Sequence, residues 1–600
     1  MKWYFTRRKI KNAALFLRTY GVRLFFKEAL KDILQRPWLF STRRYKVWIR
    51  QNEPAGEVLL KQKEADFAYA PKVSIVVPVY NTRPLFLKVM IDSVLSQTYP
   101  KWELCIADGG STISKTKELL SDCSREDARI KIKLLKENKG IACNSNEAIS
   151  LATGDYIAFL DHDDTLAPFA LFEIVKTLNE SPDADFIYSD EDLISEDGKR
   201  RFEPHFKPDW SPDLLRSCNY ITHLTVLKGE LLEKCGGFRE GFEGSQDYDL
   251  ILRATEFAKK IVHIPKVLYH WRLNESSCAG RPDIKPYAFE AGKRALIDHL
   301  ARMEVDGTVE EGALPGLYKV SLRGDHPKVS IIIPNRDHAD ELEKCIESVL
   351  TRTSFENYEI IIVENGSVEA RTFRLYDELR ETGNIRIIKW EKPFNYSAVN
   401  NYAARIAGGE ILLFLNNDTE VINPDWLERM LEHAARKDIG AVGAKLYYPD
   451  NTIQHAGVVL RTDGMVLHSH RFLRREAFGY RARLKIIQNV SAVTGACMMM
   501  RKRAFEEVGG FDEGYEVTFG DIDLCLRVRE KGYLVLWTPY AELYHHELKT
   551  RGYDNTMEKR ERVKREELLF RSRWKNVLEK GDPYYSPNLS QDSEDFAIRI

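Results

Sequence analysis

Two stretches of this sequence pair carboxylates, which can bind a cation or take up a proton, at the same spacing: Gly244-Ser-Gln-Asp247-Tyr-Asp249-Leu and Gly520-Asp521-Ile-Asp523-Leu-Cys-Leu-Arg527. Each reads as a helix start, the first running on through Leu250, Ile251 and Arg253. An Asp at that point is ordinarily a cap. Both stretches keep the Asp-x-Asp-Leu-x-x-Arg spacing, which a cap alone does not require, so a cap is not the whole explanation. A second acidic group, Asp161-His162-Asp163-Asp164, follows an apolar run. Clustered carboxylates repel unless a cation or hydrogen-bond donors compensate them, and hard oxygen ligands with open positions suit Mg²⁺ or Mn²⁺ holding a diphosphate. An isolated acidic triplet is usually a solvated turn; Asp108, ending another apolar run, argues against that here. His270 and His545, in Leu-Tyr-His contexts, are either metal or phosphate contacts or structural histidines. Trp210-Ser-Pro212 and Phe394–Asn401 either line a pocket or are packed loop.

The elements that must position these residues occur twice. Pro71-Lys-Val-Ser-Ile-Val-Val-Pro78 recurs as Pro327-Lys-Val-Ser-Ile-Ile-Ile-Pro334, and Glu103-Leu-Cys-Ile-Ala-Asp108 as Glu359-Ile-Ile-Ile-Val-Glu364, both at an offset of 256. Gly154-Asp-Tyr-Ile-Ala-Phe-Leu-Asp161 answers Gly409-Glu-Ile-Leu-Leu-Phe-Leu-Asn416 at 255. Between the first two strands, Leu87, Met90, Ile91, Val94 and Leu95 mark a helical face that Leu342, Cys345, Ile346, Val349 and Leu350 repeat. A period this long is a duplicated domain, not a solenoid. The late motifs lie 274 and 275 apart, so the second copy carries about nineteen extra residues, expected within 445–490. Each copy reads strand, helix, strand, helix, strand with continuous apolar strands, which predicts an α/β fold with a mostly parallel sheet between helices. Ligands then bind at the carboxyl ends of the strands. A nicotinamide-binding domain is excluded at its first strand, where Pro78 and Pro334 replace a GxGxxG turn.

The chain has 600 residues, 44% hydrophobic and 30% charged, a globular composition with room for two to four domains. Nine scattered cysteines without CxxC point to a reducing compartment and away from a thiolate zinc site. No apolar run is long enough to span a bilayer. The net charge of −1 conceals a head, residues 1–50, with fourteen Lys/Arg against Glu28 and Asp32. The head does not read as a secretory signal, because Arg18, Arg23 and Lys27 interrupt any apolar core. Val22, Phe26, Ala29, Leu30 and Ile33 suggest a basic amphipathic helix, lying on an anionic membrane or packed on the body. The expected division is a basic helical segment 1–70, a first domain 71–300, a Gly/Pro-bearing connection 301–326, a second domain 327–554, and a charged helix and tail 555–600.

With these motifs in order, each half resembles a family 2 glycosyltransferase of GT-A fold, over about 71–275 and 327–550. The tandem arrangement is similar to bacterial two-domain transferases that build O-antigen or capsular polysaccharide. Phe414-Leu-Asn-Asn-Asp-Thr-Glu-Val421 is similar to rhamnosyltransferase-type members. The resemblance implies an inverting transfer from a UDP- or dTDP-sugar to a lipid-linked oligosaccharide, with no nucleic-acid partner. It places the donor nucleotide against Pro78, Tyr80, Asn81, Asp108 and Asp161, and in the second half against Pro334, Glu364 and Asn416. It assigns Mg²⁺ or Mn²⁺ to Asp163 and Asp418, with His270 and His545 completing the shell, and makes Asp247 and Asp521 the general bases. It also implies a cytoplasmic enzyme, peripheral on the inner membrane through its basic head. Glu364, Asn416 and Gly520 depart from the usual acids, which reads as altered donor preference in an active second half. The alternatives are one active half with an acceptor-binding partner half, or a nonenzymatic polysaccharide-binding protein.

Overall fold

A computed structural model describes residues 41–273, 286–324, 326–547 and 556–600. The apolar runs of the first half become strands Val73–Val79, Trp102–Asp108 and Tyr156–Phe159, all parallel, with Val73–Val79 in the middle. Ile130–Leu134 adds a fourth parallel strand outside Trp102–Asp108. Beyond Tyr156–Phe159 the sheet continues through Thr225–Lys228, Phe186–Ile194, Ile261–Arg272 and Thr165–Leu166. The second half repeats this order: Ile385–Lys389, Tyr358–Glu364, Val329–Asn335, Ile411–Leu415, Cys497–Arg501, Ile439–Tyr447, Leu534–His545 and Thr419–Val421. The chain thus contains two α/β units with mixed, largely parallel sheets. The outer strands Ile130–Leu134 and Ile385–Lys389 are absent from the sequence-based count. Their alternation of Ile with Lys or Arg is that of a half-exposed edge strand, not of a buried run.

Helices Pro84–Leu95 and Ala339–Arg352 bury Leu87, Met90, Ile91 and Val94 in one and Leu342, Cys345, Ile346 and Val349 in the other, whereas Leu95, read onto the same face, is exposed at the helix end and Leu350 is only partly buried. The connection 301–326 contains a hairpin, Gly307–Glu311 with Tyr318–Leu322, whose Val309, Tyr318 and Val320 join the core of the first half. The amphipathic pattern over 22–33 lies outside the described residues. Helix Ser41–Asn52 follows it and buries Tyr45 and Trp48.

Strand Ile453–His455 repeats the pairing that Arg201–His205 makes in the first half, and the extra residues of the second half fall beyond it, in a region that forms short strands Val458–Leu460 and Val466–His468 and a tight turn at Tyr480–Lys485. Part of this insertion grips the first half. Arg481 donates to the carbonyls of Glu203 and Pro204, and the Phe206 N–H donates to the Tyr480 hydroxyl. Beside it, Asp213 of the first half is buried against Arg436 at 2.5 Å and accepts from Asn489 Nδ2 at 2.8 Å. Ser211, from one of the stretches read as pocket or loop, donates to Asn489 Oδ1. Burial pushes the Asp213 carboxyl up, but the charges of Arg436 and Arg216 outweigh it and hold the group below the usual carboxylate range. Helix Met557–Lys580 leads into a tail that ties all parts together. Asp582 accepts from Leu460 N–H and Ser491, Asn588 donates to Asp190 and to the Pro265 carbonyl, and Arg44 donates to the Ile598 carbonyl. Among the described residues no helix is long and apolar enough to cross a membrane.

Removing one member of a buried ion pair leaves an uncompensated charge and costs about 3–5 kcal/mol. Asp213→Ala is therefore expected to lower stability by that amount in urea unfolding at pH 7. Arg436→Ala should cost less, since Arg216 and Asn489 still face Asp213. Because the folded-state pKa is depressed, the contribution is present above about pH 4 and is lost as pH falls through the folded-state value.

Candidate active site

The polar residues singled out in the sequence collect at the carboxyl ends of the parallel strands, where a sheet leaves its last peptide groups open to a ligand. Val79 pairs with Asp108, so the loops carrying Asn81 and Ser111 sit side by side. Asn81 adopts φ 48°, its N–H donates to the Ser111 hydroxyl at 2.8 Å, and its Oδ1 accepts from Thr112 N–H at 2.7 Å. The Ser111 N–H and hydroxyl in turn donate to the buried Asp108 carboxylate. Pro78 precedes this edge and Tyr80 stands exposed beside it. The second half builds the same edge from Pro334, Glu364 and a residue the sequence reading passed over, Asp337. It lies 256 positions after Asn81, has φ 53°, and accepts from the N–H groups of Val368 and Glu369. Glu364 accepts from Ser367 and from the Tyr376 hydroxyl.

Where strand Tyr156–Phe159 ends, the acidic turn meets a histidine not singled out beforehand. Asp161, Asp164 and His223 bring one ligand atom each within 4.8 Å of one another. Asp164 is buried, accepting from the Tyr269 hydroxyl at 2.5 Å and from Arg272 N–H at 2.6 Å. The His223 ring stacks on Tyr269 at 4.4 Å, and its carbonyl accepts from buried Lys207, which is paired with Glu191. Burial, together with the charges of Asp163 and Asp161, holds Asp164 well above the usual carboxylate range. A divalent cation would relieve that crowding, so the donor set fits one. Two carboxylates with an imidazole favour Mn²⁺ over the harder Mg²⁺. Asp163 and His270, the ligands expected from the resemblance, lie outside this triad. Asp163 sits beside His162, and His270 Nδ1 is bound to buried Asp192 at 2.6 Å. Asp192 is also held by Tyr45 and Arg201, the latter reaching Glu53.

Helix Gln246–Phe257 separates the two aspartates of its motif. Asp249 is fully buried between Arg239 and Arg253, and Arg253 also donates to the carbonyls of Cys235 and Gly237. Asp247 instead faces the acidic turn and accepts from Asn219 Nδ2 at 2.9 Å. Burial raises its pKa; the charge of His223 opposes that shift and Asp161 adds to it. A carboxylate so raised is a better proton acceptor near neutral pH than an exposed one.

The second half keeps the helix and changes the turn. Asp523 is buried on Arg527 at 2.7 Å and accepts from Trp574 Nε1 at 3.0 Å, while Asp521 accepts from Gly495 N–H at 2.8 Å. Burial raises Asp521 as it does Asp247. Asn416 and Thr419 occupy the positions of Asp161 and Asp164, and the strand register puts Ala496 where His223 stands. Asp418 remains, with its Oδ1 3.2 Å from His545 Nε2, and Asn416 Nδ2 lies at the same distance from that nitrogen. Burial pushes Asp418 up, but His545 outweighs it and the carboxyl sits below its ordinary range.

The sequence profile of glycosyl transferase family 2 matches residues 74–238 and 330–509, one segment in each half. The chain belongs to glycosyl transferase family 2. This family 2 chain is 47% identical over 535 residues to the uncharacterized protein y4gI of Sinorhizobium fredii (strain NBRC 101917 / NGR234), covering 88% of this chain and 58% of y4gI. It is 37% identical over 564 residues to the O-antigen biosynthesis protein RfbC of Myxococcus xanthus, covering 92% of this chain and 43% of RfbC. It thus spans about half the length of these relatives. Among solved structures it is similar to the mannosyltransferase PcManGT of Pyrobaculum calidifontis in complex with GDP-Man and Mn²⁺, at 18% identity and a TM-score of 0.32, over 42% of this chain and 68% of that one.

The two aspartates of the late motif should separate by experiment. Asp249→Asn leaves Arg253 buried without its charge partner and is expected to cost about 3–5 kcal/mol in urea unfolding. Asp247→Asn keeps the shape of a group that burial already pushes toward neutrality, and should cost less than about 1 kcal/mol.

Proposed function

We propose that this chain is a two-headed inverting glycosyltransferase that extends a bacterial surface polysaccharide from nucleotide-diphospho-sugar donors. The observation that carries this reading is the repeated division of labour in the late motif. In each half one aspartate is locked in a buried ion pair, and its neighbour two residues earlier is left to face the strand ends. In the first half Asp247 takes the proton of an acceptor hydroxyl. The hydroxyl oxygen attacks the anomeric carbon from the face opposite the diphosphate, the glycosyl–phosphate bond breaks, and the nucleoside diphosphate leaves with the bonding electrons. Asn219 holds Asp247 in place, while Asn81, Asp108 and Asp161 hold the donor nucleotide. Asp161, Asp164 and His223 would hold a divalent cation, Mn²⁺ or Mg²⁺, which when bound would supply positive charge for the departing diphosphate. In the second half Asp521 is the base, and Pro334, Asp337, Glu364 and Asn416 form the donor edge.

The donors are proposed as UDP- or dTDP-sugars, with a rhamnosyl-type donor for the second half, and the acceptor as a lipid-linked oligosaccharide of O-antigen or capsule type. A second reading has its own support. The loss of the triad at Asn416, Thr419 and Ala496 favours an enzyme whose first half transfers while its second half holds the acceptor. Asp247→Asn and Asp521→Asn are expected to abolish two different products, each by about 10²–10⁴-fold, with donor binding retained. Mass spectrometry of oligosaccharide products after incubation with sugar nucleotides decides between the readings. An unchanged product pattern in Asp521→Asn supports the single active half, and an unchanged pattern in both variants defeats the transferase reading.

The basic head is proposed to hold the protein reversibly at the cytoplasmic face of the inner membrane, since each basic residue near an anionic surface contributes about 1 kcal/mol. Binding to phosphatidylglycerol vesicles should weaken with salt and disappear on deletion of residues 1–40. The deletion must stop there, because Tyr45 is a buried partner of Asp192.

A further inference from the structure

We propose that Phe472, with Tyr448 and Arg471, forms a saccharide subsite on the second half that takes a pyranose ring of the acceptor; this rests on the reading that the second half handles an acceptor saccharide. Phe472 belongs to the insertion that the first half lacks. It is 61% exposed and adopts φ 65°, a left-handed conformation unfavourable for a bulky side chain. The surroundings enforce that turn. The Phe472 N–H donates to the Ile453 carbonyl at 2.8 Å and the Ile453 N–H to the Leu473 carbonyl at 2.7 Å. His470, also left-handed, is pinned by its N–H on the Glu594 carbonyl and by its ring on Phe596 at 4.2 Å. Contacts on several sides thus maintain the strained turn and keep the Phe472 ring at the surface.

The ring is also fixed in orientation. It stacks on Tyr448 with centroids 5.6 Å apart and planes 8° from parallel. The Arg471 guanidinium lies 4.7 Å from the Phe472 centroid and donates through Nε and Nη2 to the Tyr448 hydroxyl. A flat, preorganised apolar face bordered by a guanidinium and a phenol complements a pyranose, which offers axial C–H groups on one face and hydroxyls around its edge.

Contacts connect this platform to the candidate centre. Arg471 lies 3.8 Å from Glu547, which accepts from Gln454 Nε2. Gln454 Oε1 faces His545 Nδ1 at 2.8 Å, and His545 Nε2 faces Asp418. The platform stands apart from the proposed nucleotide edge, as an acceptor subsite must. It is built on Ile439–Tyr447 and Ile453–His455, three strands away from Val329–Asn335 and the nucleotide edge, about 15 Å at one strand spacing per step.

The test uses the full chain saturated with UDP and Mn²⁺ and titrated with the methyl glycosides of rhamnose, glucose, galactose and N-acetylglucosamine, observed by saturation-transfer NMR. At least one glycoside should receive saturation at its ring C–H protons. Its affinity should fall about tenfold in Phe472→Leu, which stays apolar but loses the flat face, and should persist in Phe472→Trp. Circular dichroism and the urea midpoint confirm that both variants fold. Absence of binding by all four glycosides, affinity within twofold of wild type in Phe472→Leu, or equal loss in Phe472→Trp overturns the subsite. Hydrolysis of UDP-, dTDP- and GDP-sugars by the unmodified chain is measured in parallel. Its complete absence defeats the transferase reading, whatever the glycosides show, and its presence beside Phe472-independent binding defeats only the subsite.

Discussion

A carboxylate sealed from water must be matched by charge and hydrogen bonds or it destabilises the fold by several kcal/mol. In this protein that requirement sets the position of the helix at each candidate centre. Asp249 and Asp523 are both fully buried, and each is answered by the arginine one turn later, which in turn ties down carbonyls of a preceding loop. With that anchor made, the first turn of the helix has one orientation. The aspartate two residues earlier then stands at the strand ends, where a ligand of the sheet would lie. The remaining contacts differ between halves without disturbing the principle. The first recruits Arg239, the second Trp574 and Arg573 from the C-terminal helix.

Duplication preserved the scaffold more strictly than the chemistry placed on it. Both sheets share an eight-strand order, and in both a residue of positive φ stands beside a strand-end acid at the edge of the first two strands. The acidic turn diverged. Asp161, Asp164 and His223 crowd negative charge and an imidazole into one place, while Asn416, Thr419 and Ala496 remove that charge and leave Asp418 with His545. A site with less negative charge holds a divalent cation less tightly, so the two halves are not electrostatic copies of each other.

The halves are also not independent bodies. The Asp213–Arg436–Asn489 cluster buries charge between them, and residues 582–598 contact helix Ser41–Asn52, the first half and the second. Much of this joining surface comes from the insertion, at Tyr480 and Arg481. The same insertion displays Phe472 on its other side. The region that carries the extra residues thus fastens the second half to the first and exposes Phe472 as well.

The duplication, the α/β class, the strand ends that carry polar residues and the repeated spacing of the late motif were all legible in the sequence. Each depends on local periodicity or on a residue type at a fixed spacing. The shared Asp-x-Asp-Leu-x-x-Arg pattern showed that the late motif was more than a cap, but which aspartate pairs with the arginine was decided by the packing. Asp337 was equally accessible, 256 positions after Asn81, but its different residue type concealed it. The edge strands were missed because alternating Ile and Lys gives no continuous apolar run. Only the tertiary structure decided that His223, about sixty residues from Asp161, closes the acidic cluster, that His270 is held by Asp192 and through it by Tyr45, and that the insertion joins the halves. Those contacts have no period along the chain. They come from the packing of distant segments, where burial selects which polar groups must meet.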